Sequence, residues 1–224
     1  MLSDLRAHER SVHSQGGEDG VLAHLFACLG TTNRTFVEFG AWDGRHLSNT
    51  ALLRLDGGWT GLLMDGDPDR VGDLVQREMV TAENVNDLFR KYDVPGVFDL
   101  LSIDIDGNEY WVWDALSDYR PRVVIIEYNI FFATDVSKTM PYDAAHRWDE
   151  TMFHGASLLA LRKLGRRKGY SLIHTDSYTP NAIFVDEAEL PPEFVDLPIQ
   201  QVASWDWDPG SEPPIEANRC WEAV

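Results

Sequence analysis

The chain has 224 residues, 37 acidic against 19 basic, and a formal net charge of −18. That length suits one domain with an appendage, and 44% hydrophobic residues with 8 Trp, 7 Tyr and 10 Phe can build a sizeable core. The acidic balance repels polyanions and excludes a nucleic-acid partner. The first ten residues carry Asp4, Arg6, Glu9 and Arg10 without an apolar run, so no secretory leader and no membrane span is expected. Two cysteines far apart, Cys28 and Cys220, fit a reduced cytoplasmic protein.

Val21, Leu22, Leu25, Phe26 and Leu29 recur at helical spacing and predict a helix over 18–29, begun by Ser14 or Gly17. A strand over 35–39 runs into Gly40 and Gly44, with a helix near 46–55 to follow. A strand over 60–65 ends on Asp65. Pro68 then precedes a charged helix over 69–78, and a third strand is expected before Thr81. A short helix over 84–91, a strand over 98–104, a helix over 111–116 and a strand over 122–127 come next. The last of these is a near-continuous apolar run, as in a parallel strand covered on both faces. A long helix over 155–168 precedes strands at 170–174 and 181–185, which are too close for a crossover helix and form a hairpin. Arg162, Lys163, Arg166, Arg167 and Lys168 read as a solvated helix end whose cations suit the dipole, with an anion-binding patch as the alternative. Alternating strands and helices specify a mostly parallel sheet with right-handed crossovers. The domain spans 1–186. Residues 187–224 form an acidic extension rich in proline; Phe194, Trp205, Trp207 and Trp221 argue that it packs on the domain or on a second subunit.

The segment Phe36-Val37-Glu38-Phe39-Gly40-Ala41-Trp42-Asp43-Gly44 carries most of the functional information. It reads as a buried strand ending in a glycine turn, at the edge where open α/β sheets bind ligands. Asp65 follows 21 residues after Gly44, the place of an acid that holds ribose hydroxyls. Glu38-x-Gly40-x-x-x-Gly44 with Asp65 resembles the cofactor half of a class I S-adenosylmethionine (SAM)-dependent methyltransferase. The wider pattern is similar to the FkbM-like methyltransferases over roughly residues 11–186. Ser14 to Asp19, Ser48-Asn49-Thr50, Gly58 to Leu63, Asp99 to Gly107 and Gly169-Tyr170 carry that likeness. The resemblance implies a Rossmann-like three-layer α/β/α fold, with a seven-stranded, mostly parallel sheet and one antiparallel strand. It implies SAM as cofactor, contacted by Gln15, Glu38, Gly40, Gly44, Asn49, Asp65, Asn84 and Asp104. For Gln15 and its neighbours, a plain helix cap is the alternative. The implied acceptor is a small molecule methylated on oxygen, in a natural-product or glycan type of pathway. A homodimer is the usual expectation.

Asp104 and Asp106 follow the strand over 98–104, and Glu127 and Asn129 end and follow the one over 122–127. Neighbouring strands would bring these four together, and packed carboxylates need a compensating partner. Mg²⁺ or another divalent cation is one such partner, held by Asp104, Glu127 and Asn129. The pattern resembles metal-dependent catechol-type O-methyltransferases but departs from them, because Tyr128 separates Glu127 from Asn129. Metal-free contact with cofactor or substrate, or simple loop capping, stays open. His154, at the start of the long helix, is the candidate general base, with Asp104 and Asp106 beside the methyl donor. Two other functions stay open: a SAM- or metal-binding enzyme of the same fold with another reaction, and a non-catalytic interaction protein.

Overall fold

The computed structural model describes residues 2–67, 73–194, 196–204 and 219–224. After a 3-10 segment over Leu2–His8, the elements run α1 (Glu18–Leu29), β1 (Thr35–Phe39), α2 (Ala51–Asp56), β2 (Thr60–Asp65), β3 (Gln76–Arg77) and α3 (Val85–Lys91). They continue with β4 (Val97–Ile103), α4 (Glu109–Ala115), β5 (Arg120–Glu127), β6 (Lys138–Thr139), α5 (Leu158–Lys168), β7 (Tyr170–Thr175), β8 (Asn181–Asp186), α6 (Ile199–Val202) and β9 (Glu222–Ala223).

Seven strands form one sheet in the order β3-β2-β1-β4-β5-β8-β7. All neighbours pair in parallel except β8, which is antiparallel to both β5 and β7. Side chains of β5 alternate between faces, as the two-residue period of a strand requires. Val124 and Ile126 join α3, α4 and α5 in one core, whereas Val123 and Ile125 join α1 and α2 in the other. The result is the expected three-layer sandwich, and β6 and β9 make a separate two-stranded ribbon. Among the described residues no helix is long and apolar enough to cross a membrane.

Three predicted elements differ. The helix expected near 46–55 begins only at Ala51, because Ser48, Asn49 and Thr50 turn inward to Glu38. Of the helix expected at 69–78, residues 69–72 lie outside the described part, and Gln76-Arg77 is strand, paired with Met64 and Asp65. The long helix begins at Leu158, where the Ser157 hydroxyl accepts from the Ala160 N–H, so His154 sits in the loop before it. Asn108 stands at the start of α4 but makes no cap bond there; its side-chain amide donates to the Asp143 carbonyl instead.

The five basic side chains of α5 are engaged by the chain itself. Arg162 and Arg166 meet Asp196, Lys163 the Val224 carbonyl, Arg167 the Tyr110 hydroxyl and Lys168 the Leu116 carbonyl. In the C-terminal segment, Ile199 and Val202 are buried in the core, and the Trp221 ring packs at 4.7 Å on Phe132 and 4.6 Å on Phe153. Trp205 and Trp207 lie outside the described residues.

Candidate active site

β1 leaves the sheet at Gly40, whose φ is +71°. A Cβ there would stand 1.5 Å from the Asp104 carbonyl oxygen, so the turn after β1 and the end of β4 meet only through glycine. Gly44 also has φ +71°. Between them the backbone is pinned to β2: Ala41 N–H donates to the Met64 carbonyl, and Trp42 N–H to Asp65 Oδ2 at 2.8 Å. Asp65 Oδ1 accepts from Asp67 N–H, at 2.8 Å, so each oxygen holds one backbone donor and keeps a lone pair. Trp42, Leu47 and Asp106 have positive φ without being glycine, strain of the kind that gathers at functional sites.

Several sequence-predicted contact residues turn inward. Glu38 is 3% exposed and accepts from Ser48 Oγ, Asn49 N–H and Thr50 Oγ1 at 2.7, 2.9 and 2.5 Å. Burial raises its pKa against those donors, and its role here is to hold the 48–50 loop. Asn49 donates to Ser102 Oγ, leaving its own Oδ1 buried without a partner. Asn84 closes its own turn, with Oδ1 on Thr81 N–H and Nδ2 on the Met79 carbonyl. Gln15 is exposed. The N–H groups around it face the chain's own acids: residues 12–14 donate to Asp19, Gly16 to Glu18 and Gly17 to Asp176.

At the carboxyl ends of β4 and β5, one carboxylate oxygen each from Asp104, Asp106 and Glu127 lies within 4.8 Å of the others. Burial, then mutual repulsion, lifts the pKa values of Asp104 and Glu127 well above the usual range. Glu127 Oε2 is 3.9 Å from His154 Nδ1; both side chains are 14% exposed, and both atoms lack a hydrogen bond. Burial keeps the His154 pKa low, against the opposing pull of Asp106. Asn129, expected as a further ligand, has its side chain bonded to the neighbouring loop. Its amide donates to the Met152 and His154 carbonyls and accepts from Phe131 N–H, which fixes the loop that carries His154.

Two residues belong to the site without having been singled out. Glu109 is fully buried, accepts from the Ile105 and Gly107 N–H groups, and has its pKa pushed up to about 7 by burial. An acid three residues after Asp106, across a glycine turn, was the signal for it. His146 Nε2 donates to the Asp106 carbonyl at 3.1 Å and lines a cleft of ≈ 380 Å³ with Tyr142, Phe153 and Arg219. Nothing local in the sequence marks it.

Residues 22–172 match the model of the FkbM methyltransferase domain. The chain belongs to the FkbM methyltransferase family. A search of curated proteins gives no significant match. Similar solved structures include TnmH at 15% identity and TM-score 0.38, covering 75% of this chain and 56% of that one. A SAM-dependent methyltransferase from Clostridium acetobutylicum ATCC 824 aligns at 9% and 0.37, over 73% and 87%. The CMeT domain of citrinin polyketide synthase aligns at 11% and 0.40, over 75% and 51%. The chain thus spans about half the length of TnmH and of the CMeT chain.

Membership makes SAM the cofactor to be tested against this site. SAM carries a sulfonium and an ammonium group. The FkbM-family chain offers an acid-rich edge with Glu127 Oε2 buried and unpartnered, and Asp65 at the end of β2 with lone pairs to spare. These residues fit a cationic, ribose-bearing cofactor.

Proposed function

We propose that this protein transfers the methyl group of SAM to an oxygen of a small-molecule acceptor, of natural-product or glycan type, with a divalent cation held by Asp104, Asp106 and Glu127. The observation that carries this reading is the convergence of those three carboxylates with His154 at the carboxyl edge of the sheet. A bound SAM supplies an electrophilic sulfonium methyl. Everything else falls to the chain, and in a direct displacement that is mainly alignment.

Asp65 accepts the ribose hydroxyls, and Gly40 and Gly44 let backbone approach the cofactor. Asp104 faces the positive charge. Three carboxylates that repel one another favour a hard cation with oxygen ligands; Asp104, Asp106 and Glu127 would hold it, and it would supply Lewis-acid help to the acceptor hydroxyl. His154, neutral because it is buried, takes the hydroxyl proton at Nδ1, and Glu127 steadies the imidazolium that forms. The new O–CH₃ bond forms as the S–CH₃ bond breaks, leaving S-adenosylhomocysteine. The net charge of −18 favours a neutral or cationic acceptor, or an anionic one bridged by the cation.

Calorimetric titration of S-adenosylhomocysteine into EDTA-stripped protein, with and without Mg²⁺, tests this reading. Asp65→Ala should weaken that binding by at least ~10-fold, the cost of about one charged hydrogen bond. Glu127→Gln should abolish Mg²⁺ uptake at the acid edge. Folded protein that binds no S-adenosylhomocysteine would sink the proposal. Mg²⁺ uptake unchanged in Glu127→Gln would remove the cation from it.

A further inference from the structure

At the far end of the same sheet edge, beyond β8, lies a second group of ligand-type side chains. We propose that Glu9, His174 and Asp176 form a divalent-cation site, suited to Zn²⁺, that ties the N-terminal segment to the closing hairpin. One oxygen from each carboxylate and one ring nitrogen of His174 lie within 4.8 Å of one another. The group is nearly sealed from water: His174 is 4% exposed, Asp176 1%, and the Glu9 side chain 7%.

The observation that points to a ligand is His174 Nε2. It lies 3.0 Å from Glu9 Oε1, yet makes no hydrogen bond. A buried ring nitrogen without a partner is costly and needs an explanation. One imidazole nitrogen and two carboxylate oxygens are a fitting donor set for Zn²⁺, with water to complete a tetrahedron. The charge also asks for a cation. Glu18 adds a further acid close by; the Arg6 guanidinium, which donates to the Val202 carbonyl and Ser204 Oγ, also acts on the His174 ring and offsets part of this negative charge.

The surroundings fix each donor. Ser177 gives its N–H and hydroxyl to Glu9 Oε1 at 3.1 and 3.0 Å. Asp176 Oδ1 accepts from the Tyr178 and Thr179 N–H groups, and Oδ2 from Gly17 N–H at 2.7 Å. A Cβ on Gly16 would lie 2.4 Å from Asp176 Oδ1, and one on Gly17 2.4 Å from Glu9 Cβ. The paired glycines therefore let both acids close on the start of α1. A register shift in β7 between Leu172 and His174 re-aims the histidine, as β-bulges do. Ser14 of the same segment bridges to Leu47, so the site also braces the loop after Gly44.

The test uses the full-length, metal-stripped protein and Zn²⁺ itself. In a long-range ¹H–¹⁵N spectrum of the histidine rings, one equivalent of Zn²⁺ should move the Nε2 resonance of His174, assigned by its absence in His174→Ala. Glu9→Gln keeps the size of the side chain and should weaken Zn²⁺ binding at this site by at least ~10-fold, and Zn²⁺ should no longer raise Tm. Glu127→Gln should leave this site's affinity unchanged, which separates it from the acid edge. If His174→Ala does not fold, Glu9→Gln alone decides. Wild-type affinity in Glu9→Gln, or a His174 resonance unmoved by Zn²⁺, would overturn the site. So would a doubly protonated His174 ring without Zn²⁺ uptake, which would make the contact an ion pair with Glu9.

Discussion

Gly40 shows how one atom can decide a site. Its positive φ and the Asp104 carbonyl 1.5 Å from any Cβ leave no room for a side chain. Gly40→Ala should cost more than about 3 kcal/mol, the upper end of what left-handed strain alone costs, and urea unfolding measures it. An unchanged midpoint would mean that β1 and β4 do not meet this closely. The glycine turn was legible, but as a place where backbone approaches a ligand; its close meeting with the end of β4 was not. Glu38, Asn84 and Asn129 were less legible. All three types suit ligand contact, but here they hold loops. Asn129 spends its amide on the carbonyls of residues 152 and 154, and no spacing rule connects 129 to that loop.

At the scale of elements, β4 and β5 are locked by Asp99 and Arg122, 2.7 Å apart, with side chains 0% and 5% exposed. Burial opposes the Asp99 charge, but Arg122 and the donors of Thr32 and Arg34 outweigh it and hold the carboxyl below its ordinary value. A depressed acid adds stability that is present above its unfolded pKa of 3.8 and lost as pH falls through the lower folded value. Asp99→Asn should therefore destabilise at pH 7 by about 3–5 kcal/mol. It should also flatten the acid limb below about pH 4, read by denaturant midpoints across pH. Equal acid limbs in both proteins would refute the assignment. Strands such as 35–39 and 60–65 were readable to the residue because apolar runs between turn residues admit few alternatives. The third strand was expected before Thr81, but its residues were not readable and fell in the helix expected at 69–78. Gln76-Arg77 is polar and exposed, and only its pairing with Met64 and Asp65 makes it a strand. The start of α5 was likewise set by Ser157 and by the bridge of Ala156 to Thr139.

For the whole molecule, the last residues close over the candidate site. β9 pairs with β6, Arg219 lies over the Phe153 ring and meets Asp149, and Trp221 packs on Phe132 and Phe153. Trp221→Ala should release this segment and make trypsin cleavage after Arg219 faster than in the wild type. Equal cleavage rates would show that the ribbon holds without the indole. The placing of β8 between β5 and β7 has a consequence for biosynthesis. β7 reaches the sheet only through β8, although it is made first. On the ribosome, the edge of β5 with its buried run Val123–Ile126 stays open while α5, β7 and the hairpin turn emerge, and an open apolar edge invites pairing with other chains. A nascent chain stopped after Thr175 would hold six of the seven strands and still be unable to finish the sheet. Premature termination there yields an aggregation-prone product rather than a smaller enzyme.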